Sequence, residues 1–171
     1  MNIILIGMMG AGKSVTGRLL AKKMEWQFKD VDQLIEEEQK TTIAHIFETQ
    51  GENAFRQMET QMIQRLSSSD KLVIALGGGA PCFDANWNVF LKSGFVVWMK
   101  SSPQTLYNHL KNSSHVRPLL KNNLSVESIS KILEARIAFY SRAHYTLETD
   151  ALEPMQSAEK IAQIAHEKNY A

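Results

Sequence analysis

Gly7-Met8-Met9-Gly10-Ala11-Gly12-Lys13-Ser14 sets three glycines, a lysine and a hydroxyl in the spacing GxxxxGK[ST]. Glycines at these positions let the backbone turn tightly and aim several N–H groups at phosphate oxygens. Lys13 would reach the β- and γ-phosphates and the Ser14 hydroxyl would ligate Mg²⁺. The chemistry is that of a nucleoside triphosphate, with Gly10, Ala11, Gly12, Lys13, Ser14 and Val15 as its cradle.

Three further groups speak to the acceptor of the phosphate. In Asp30-x-Asp32, one carboxylate can hold the metal through water while the other takes a proton from an attacking hydroxyl. Asp32 can equally cap a helix, or do both jobs. Arg56 lies beside Phe55 and Met58 and Arg136 between Leu133 and Ile137, so each interrupts an apolar helical stripe and needs a partner. For Arg56 that partner is either Glu59, three residues on, or a ligand. As a pair, the two guanidinium forks suit a substrate carboxylate. Gly77-Gly78-Gly79 costs chain entropy without a packing benefit, which makes sense where a ligand must approach the backbone closely.

These groups need a scaffold, and the apolar pattern supplies one. Ile3-Ile4-Leu5-Ile6 reads as a buried strand, and Val15, Leu19, Leu20 and Met24 recur at helical spacing, predicting a helix over 13–24. The helix begins near Gly12, so its positive end faces the phosphate site. Trp26, Phe28 and Val31 alternate with polar residues in a second strand that is expected to end at Asp30-Val31-Asp32, completing a βαβ unit. Another helix begins at Leu34, with Glu36 to Glu38 as its solvated face. Thr42 can cap a short helix that Gly51 ends, and a stripe from Ala54 to Leu66 marks the next. The continuous apolar run at 72–76 reads as a central parallel strand and 95–99 as the next buried strand. Between them Asp84 is expected to cap a helix carrying Trp87, Phe90 and Leu91.

Pro103 suits the first turn of a helix to about 110, Ser125 caps a long helix, 145–149 is a last strand, and Ser157 is expected to open the C-terminal helix. The polar stretch from Lys111 to Leu124, around Arg117-Pro118-Leu119-Leu120, has no clear period and is expected to be functional or mobile. Strands alternating with helices argue an α/β fold with a parallel sheet covered on both faces.

The totals narrow the field. The 171 residues suit one domain, and 44% apolar with 22% charged residues is ordinary for a globular chain. A net charge of +1 carries no nucleic-acid signature, and no run approaches the length of a membrane span. The lone cysteine, Cys82, excludes an internal disulfide, fits a reducing compartment and reads as a small semi-buried hydrophobe. The chain is expected to act in the cytoplasm as a monomer, on a small molecule, without nucleic-acid or membrane partners.

Taken together, GxxxxGKS at 7–14, Phe28-Lys-Asp30-Val-Asp32, Gly51-Glu-Asn-Ala-Phe55-Arg56-Gln-Met-Glu59, Leu76-Gly-Gly-Gly79, Arg117-Pro-Leu-Leu120 and Leu133-Glu-Ala-Arg136-Ile-Ala-Phe-Tyr140 resemble the shikimate kinase family, in that family's order and from about residue 3 to 149. The resemblance implies an α/β P-loop kinase fold of the nucleoside monophosphate kinase type. Its five-stranded parallel sheet would run in order 2-3-1-4-5, with helices on both faces and a mobile lid. It also implies ATP-dependent phosphorylation of the shikimate 3-hydroxyl in aromatic amino-acid biosynthesis, with Mg²⁺. By the same resemblance Asp32 is the base and a substrate contact, Asp30 and Ser14 serve the metal, and Arg56 and Arg136 bind the substrate carboxylate. Gly77, Gly78 and Gly79 face the substrate ring, and Arg117 closes on the transferred phosphate from a lid at about 112–124. The region 32–66 belongs to the acceptor, within a single domain over 1–171. The family usually places arginines near the adenine where this chain has Leu110 and Leu152, so aliphatic side chains are expected to grip the base, with Lys111 one step away.

Another small P-loop kinase, one resembling gluconokinase, is the nearest alternative, since its acceptor would also use a carboxylate clamp. A GTPase would need DxxG and NKxD, and neither is present. A non-catalytic nucleotide-binding module would be expected to have lost Lys13, Ser14, Asp32 or Arg117, and all four are intact.

Overall fold

The apolar runs at 3–6, 72–76 and 95–99 lack polar alternation because they are covered on both faces. In the computed structural model, which describes residues 1–112 and 124–170, they become β1 (Asn2–Ile6), β3 (Leu72–Ala75) and β4 (Gly94–Lys100). β2 (Gln27–Asp30) and β5 (Tyr145–Glu148) are the edges of the same sheet, in the order β2-β3-β1-β4-β5. Every neighbouring pair is parallel, with Ile3 opposite Val73 on one side and Phe95 on the other. Successive strand residues point to opposite faces, and all of β1 and β3 is buried. The helices therefore cover both faces: α1 (Lys13–Met24), α2 (Val31–Gln39), α3 (Ile43–Ser67), α4 (Asp84–Ser93), α5 (Pro103–Lys111), α6 (Val126–Tyr140) and α7 (Pro154–Glu167). α1 packs with α7, α3 with α2 and α4, and α5 with α6. No helix among the described residues is long and apolar enough to cross a membrane.

Helix starts separate what local chemistry decides from what it leaves open. Ser125 and Ser128 bond each other's backbone at the start of α6, and Ser102 caps α5 ahead of Pro103, as their residue types predict. Three starts differ from expectation. β2 stops at Asp30, whose extended backbone and side chain cap α2 by accepting from Asp32 N and Gln33 N, so Asp32 lies in the first helical turn and is not the cap. Asp84 is the first residue of α4 and its cap position is Phe83, so Asp84 contributes charge near the helix N-terminus and no cap bond. α7 starts at Pro154, with Glu153 and Gln156 as a reciprocal box, which leaves Ser157 buried one turn inside.

Thr42 caps α3 through its bond from His45 N, and the helix breaks where Gly51 is expected to end it. Gly51 has φ 81° and ψ 170°, the one non-helical residue inside α3. The region 43–67 is thus two helical segments meeting at a residue that only glycine adopts without strain. After the triple glycine a 3-10 turn, Ala80–Cys82, is tied down by α4: Asn86 donates to Ala80 O at 2.9 Å and Trp87 Nε1 to Pro81 O at 2.7 Å. Cys82 in that turn is half-buried, and burial pushes its thiol pKa up, in keeping with a hydrophobe and not a nucleophile.

Candidate active site

Ligands of an open parallel sheet sit outside the carboxyl ends of its strands, and here the ends of β1, β2 and β3 converge. The loop after β1 turns on Gly7, Gly10 and Gly12, all at positive φ, and delivers the chain into α1. Lys13 is buried, with its Nζ donating to Gly7 O at 2.9 Å and Met8 O at 2.8 Å. These bonds hold the ammonium inside the loop it would lend to phosphate. Val15, on the exposed side of α1, is one of the few large apolar residues in water among the described residues. Ser14 Oγ donates to Asp30 Oδ2 at 2.6 Å, so the hydroxyl at the start of α1 and the carboxylate at the end of β2 share one spot. Asp30 therefore has two tasks: Oδ1 caps α2 and Oδ2 holds Ser14.

β3 delivers the triple glycine into the middle of these groups. A Cβ at Gly77 would lie 2.8 Å from Asp32 Oδ1 and 3.2 Å from Glu59 Oε1. At Gly78 it would lie 3.1 Å from Arg136 Nη1, and at Gly79 only 2.4 Å from Arg56 Nη2. The close approach that the three glycines permit is thus made by the protein's own side chains, where the sequence alone suggests a ligand. The turn gathers Asp32, Glu59, Arg136 and Arg56 around one backbone segment.

The two arginines sit in different surroundings. Arg56, 13% exposed, has all three guanidinium nitrogens bonded: Nη1 to Glu59 Oε2 at 2.9 Å, and Nε and Nη2 to Glu52 Oε1 at 3.2 and 3.0 Å. Its Cζ lies 5.1 Å from the Phe55 ring and 5.2 Å from the Phe83 ring. The structural pairing with Glu59 is therefore real, and Glu52 joins it. Burial works against the Arg56 charge, and Glu59 and Glu52 raise its pKa despite that. Glu59 is fully buried, with Oε1 lacking a hydrogen-bond partner among the described residues. Burial, opposed by Arg56, lifts its carboxyl to about 7.

Arg136 is half-buried, and among the described residues no carboxylate lies within ion-pair distance of it. Its Nη1 donates to Met8 Sδ at 3.6 Å, and it bonds the Tyr140 hydroxyl, which itself donates to Gly78 O at 2.6 Å. Burial pushes that phenol up to about 12, so it stays neutral. A partly buried guanidinium whose hydrogen bonds among the described residues go only to neutral groups favours an anion arriving from outside.

Leu110 is buried beneath the phosphate loop, its Cγ 3.1 Å from a Cβ position at Gly10, and Leu152 is half-buried after β5. Arg117, with nearly all of the lid expected over 112–124, lies outside the described residues. Met8, Tyr140 and Glu52 do not stand out as site residues from the sequence. Tyr140 has a signal there, since it follows Arg136 by four residues and so shares its helix face.

A family model described as shikimate kinase matches residues 9–166. The chain belongs to the shikimate kinase family. It is 39% identical over 163 residues to shikimate kinase from Caldicellulosiruptor saccharolyticus, covering 95% of this chain and 94% of that protein. It superposes on shikimate kinase from Acinetobacter baumannii in complex with shikimate with a TM-score of 0.93 at 34% identity, over 99% of this chain and 95% of that one. Deoxyadenosine kinase from M. mycoides with bound dCTP shares the fold alone, with a TM-score of 0.62 at 17% identity over 98% of this chain and 100% of that one. The five-stranded order and the kinase class expected from the resemblance to shikimate kinases are both borne out.

Proposed function

We propose that this chain transfers the γ-phosphoryl group of ATP to the 3-hydroxyl of shikimate, giving shikimate 3-phosphate and ADP on the route to chorismate and the aromatic amino acids. The observation that carries the reading is the triple-glycine turn, which sets a carboxylate, Asp32, and an anion-seeking guanidinium, Arg136, beside the phosphate loop. An acceptor with a hydroxyl at one end and a carboxylate at the other matches that pair of groups.

Gly10 to Val15 cradle the phosphates, and Lys13 exchanges its two carbonyl partners for phosphate oxygens. Leu152, with Leu110 behind Gly10, offers the adenine an apolar surface. Ser14 Oγ and Asp30 Oδ2 are hard oxygen donors side by side, and one or two such donors completed by phosphates suit Mg²⁺. Ser14 would hold it directly and Asp30 through water, and its charge would offset that of the phosphates. Asp32 takes the proton as the acceptor oxygen bonds to the γ-phosphorus and the bond to the β-phosphate oxygen breaks. Arg56 and Arg136 hold the acceptor carboxylate, Gly77, Gly78 and Gly79 face its ring, and Arg117 serves the transferred phosphoryl group from the lid at 112–124. The acceptor region spans 32–66. A near-neutral charge is in keeping with a small-molecule acceptor and no nucleic-acid or membrane partner, a single cysteine with the reducing cytoplasm, and we take the chain to act there as a monomer.

The test is ADP release with ATP and Mg²⁺ against a panel of shikimate, gluconate and nucleoside monophosphates. Shikimate-dependent release, with a phosphorylated product by mass, is expected. Release driven by gluconate or a nucleotide and not by shikimate would overturn the assignment. Asp32→Asn should lower turnover far more than it raises KM, because an amide can bond the hydroxyl but cannot take its proton.

A further inference from the structure

Arg56 is assigned to the acceptor carboxylate, yet its edge is already occupied by a carboxylate of the protein. Nε and Nη2 form the side of a guanidinium that gives two parallel bonds to a carboxylate. Both donate to a single oxygen, Oε1 of Glu52, at 3.2 and 3.0 Å. Glu52 is 55% exposed, whereas Arg56 is 13% exposed and Glu59, on Nη1, is fully buried. The two glutamates therefore differ in kind. Glu59 is held inside the protein behind the guanidinium. Glu52 reaches it from solvent, directly after the Gly51 break and one turn before Arg56.

From this arrangement we infer that Glu52 is a stand-in carboxylate. It occupies the Arg56 edge in the ligand-free protein and is displaced when the acceptor's carboxylate binds, so that binding is an exchange of one carboxylate for another. The inference rests on the clamp reading given above. A one-oxygen grip is a weaker match to the guanidinium than the two-oxygen grip an incoming carboxylate can offer. Release is cheap on the Glu52 side, because its carboxylate is more than half exposed and regains water when it leaves, while Arg56 passes to the incoming carboxylate. Meanwhile the guanidinium, within cation–π reach of both Phe55 and Phe83, keeps its orientation while no ligand is bound. An acceptor without a carboxylate has nothing to exchange, so Glu52 also works against neutral polyols at this edge.

The test is Glu52→Gln, which keeps shape and removes the competing charge. Shikimate affinity, measured by calorimetric titration and as KM, should tighten roughly two- to five-fold, the worth of an exposed ion pair. Binding of the shikimate methyl ester should not change, since the ester cannot exchange with Glu52. Unchanged or weakened shikimate binding in Glu52→Gln would overturn the inference and show that Glu52 only orients Arg56. Equal tightening for acid and ester would also overturn it, as a general loosening of the helix. Arg56→Lys, measured alongside, separates the two levels. If it leaves shikimate binding intact, the clamp reading itself fails, and the exchange with it. If it weakens binding, the clamp holds and the Glu52→Gln titration decides the exchange by itself.

Discussion

Two glycine-rich exits from parallel strands meet in this site, and glycine does opposite work in them. In the loop after β1, Gly7, Gly10 and Gly12 all sit at positive φ, where a side chain strains the backbone. In the turn after β3 no glycine has positive φ, and Gly79 is at −89°. There the absence of a side chain makes room for the groups of the acceptor side. The phosphate half of the site is thus built from backbone conformation, with close packing added at Gly7, where a Cβ would lie 2.5 Å from Met99 O, and the acceptor half from space alone. Two glycine motifs of similar look should therefore fail in different ways.

The sharpest division is expected from Lys13→Ala. Turnover should fall by about a thousandfold or more, the scale of losing a preorganised charge on a transferring phosphoryl group. Shikimate binding measured without nucleotide should persist. Loss of both together would erase the boundary between the halves.

Gly79→Ala and Gly12→Ala make the comparison directly. At position 79 the backbone accepts alanine, but its methyl would lie 2.4 Å from Arg56 Nη2 and 2.9 Å from Nη1, so the guanidinium that Glu52 and Glu59 hold must shift. Moving Arg56 away from the acceptor's carboxylate forfeits a charged contact of about 1.5–3 kcal/mol, so KM for shikimate should rise roughly ten- to a hundredfold while nucleotide binding is kept. At position 12 the nearest atom is an ordinary 3.8 Å away, so the loss is backbone strain of roughly 1–2 kcal/mol, read as a lower Tm and weaker nucleotide binding. Reversed phenotypes would refute the contrast.

Within the acceptor half the arginines should differ too. Arg136→Lys removes a fork that hydrogen-bonds only neutral groups among the described residues, Arg56→Lys one already shared by two glutamates. The Arg136 variant should bind shikimate several-fold more weakly than the Arg56 variant. Equal losses would show that the surroundings do not matter.

The smallest effect concerns pH. The Glu59 carboxyl is raised from 4.5 to about 7, chiefly by burial, so the folded protein holds its proton more tightly than the unfolded chain. Its contribution to stability is complete below about 4.5 and is lost as pH rises through 7. Between pH 5 and 8 the Tm of the wild type should fall relative to that of Glu59→Gln. Parallel curves would mean that Glu59 is ionised throughout.

What could be read from the sequence followed the range of the interaction. The phosphate loop and α1 depend on neighbours within a few residues, so their bounds were legible to the residue. The cap of α2 falls on Asp30 and not on Asp32, because either aspartate can cap and only the path of β2 decides which one does. Ser157 was outcompeted by Glu153 and Pro154, an equally local signal. Arg136 was recognisable as a misfit on an apolar face, but its partners come from the loop after β1 and from its own helix, which the turn after β3 holds in place. Glu52 was hidden by its spacing, since a glutamate four residues before an arginine describes any solvated helix.

The placing of β1 has a consequence in time. It is the first strand to be synthesised and the middle of the finished sheet, with Ile3 between Val73 and Phe95. At synthesis rates of about 5–20 residues per second, on the order of 5–20 s pass before both partners of Ile3 exist. For most of that interval, until β3 is made, five residues that end up wholly buried wait without a partner strand. The segment that will carry the phosphate loop is therefore also the one most exposed to wrong pairing during translation, and the sheet can close only after β4 has left the ribosome.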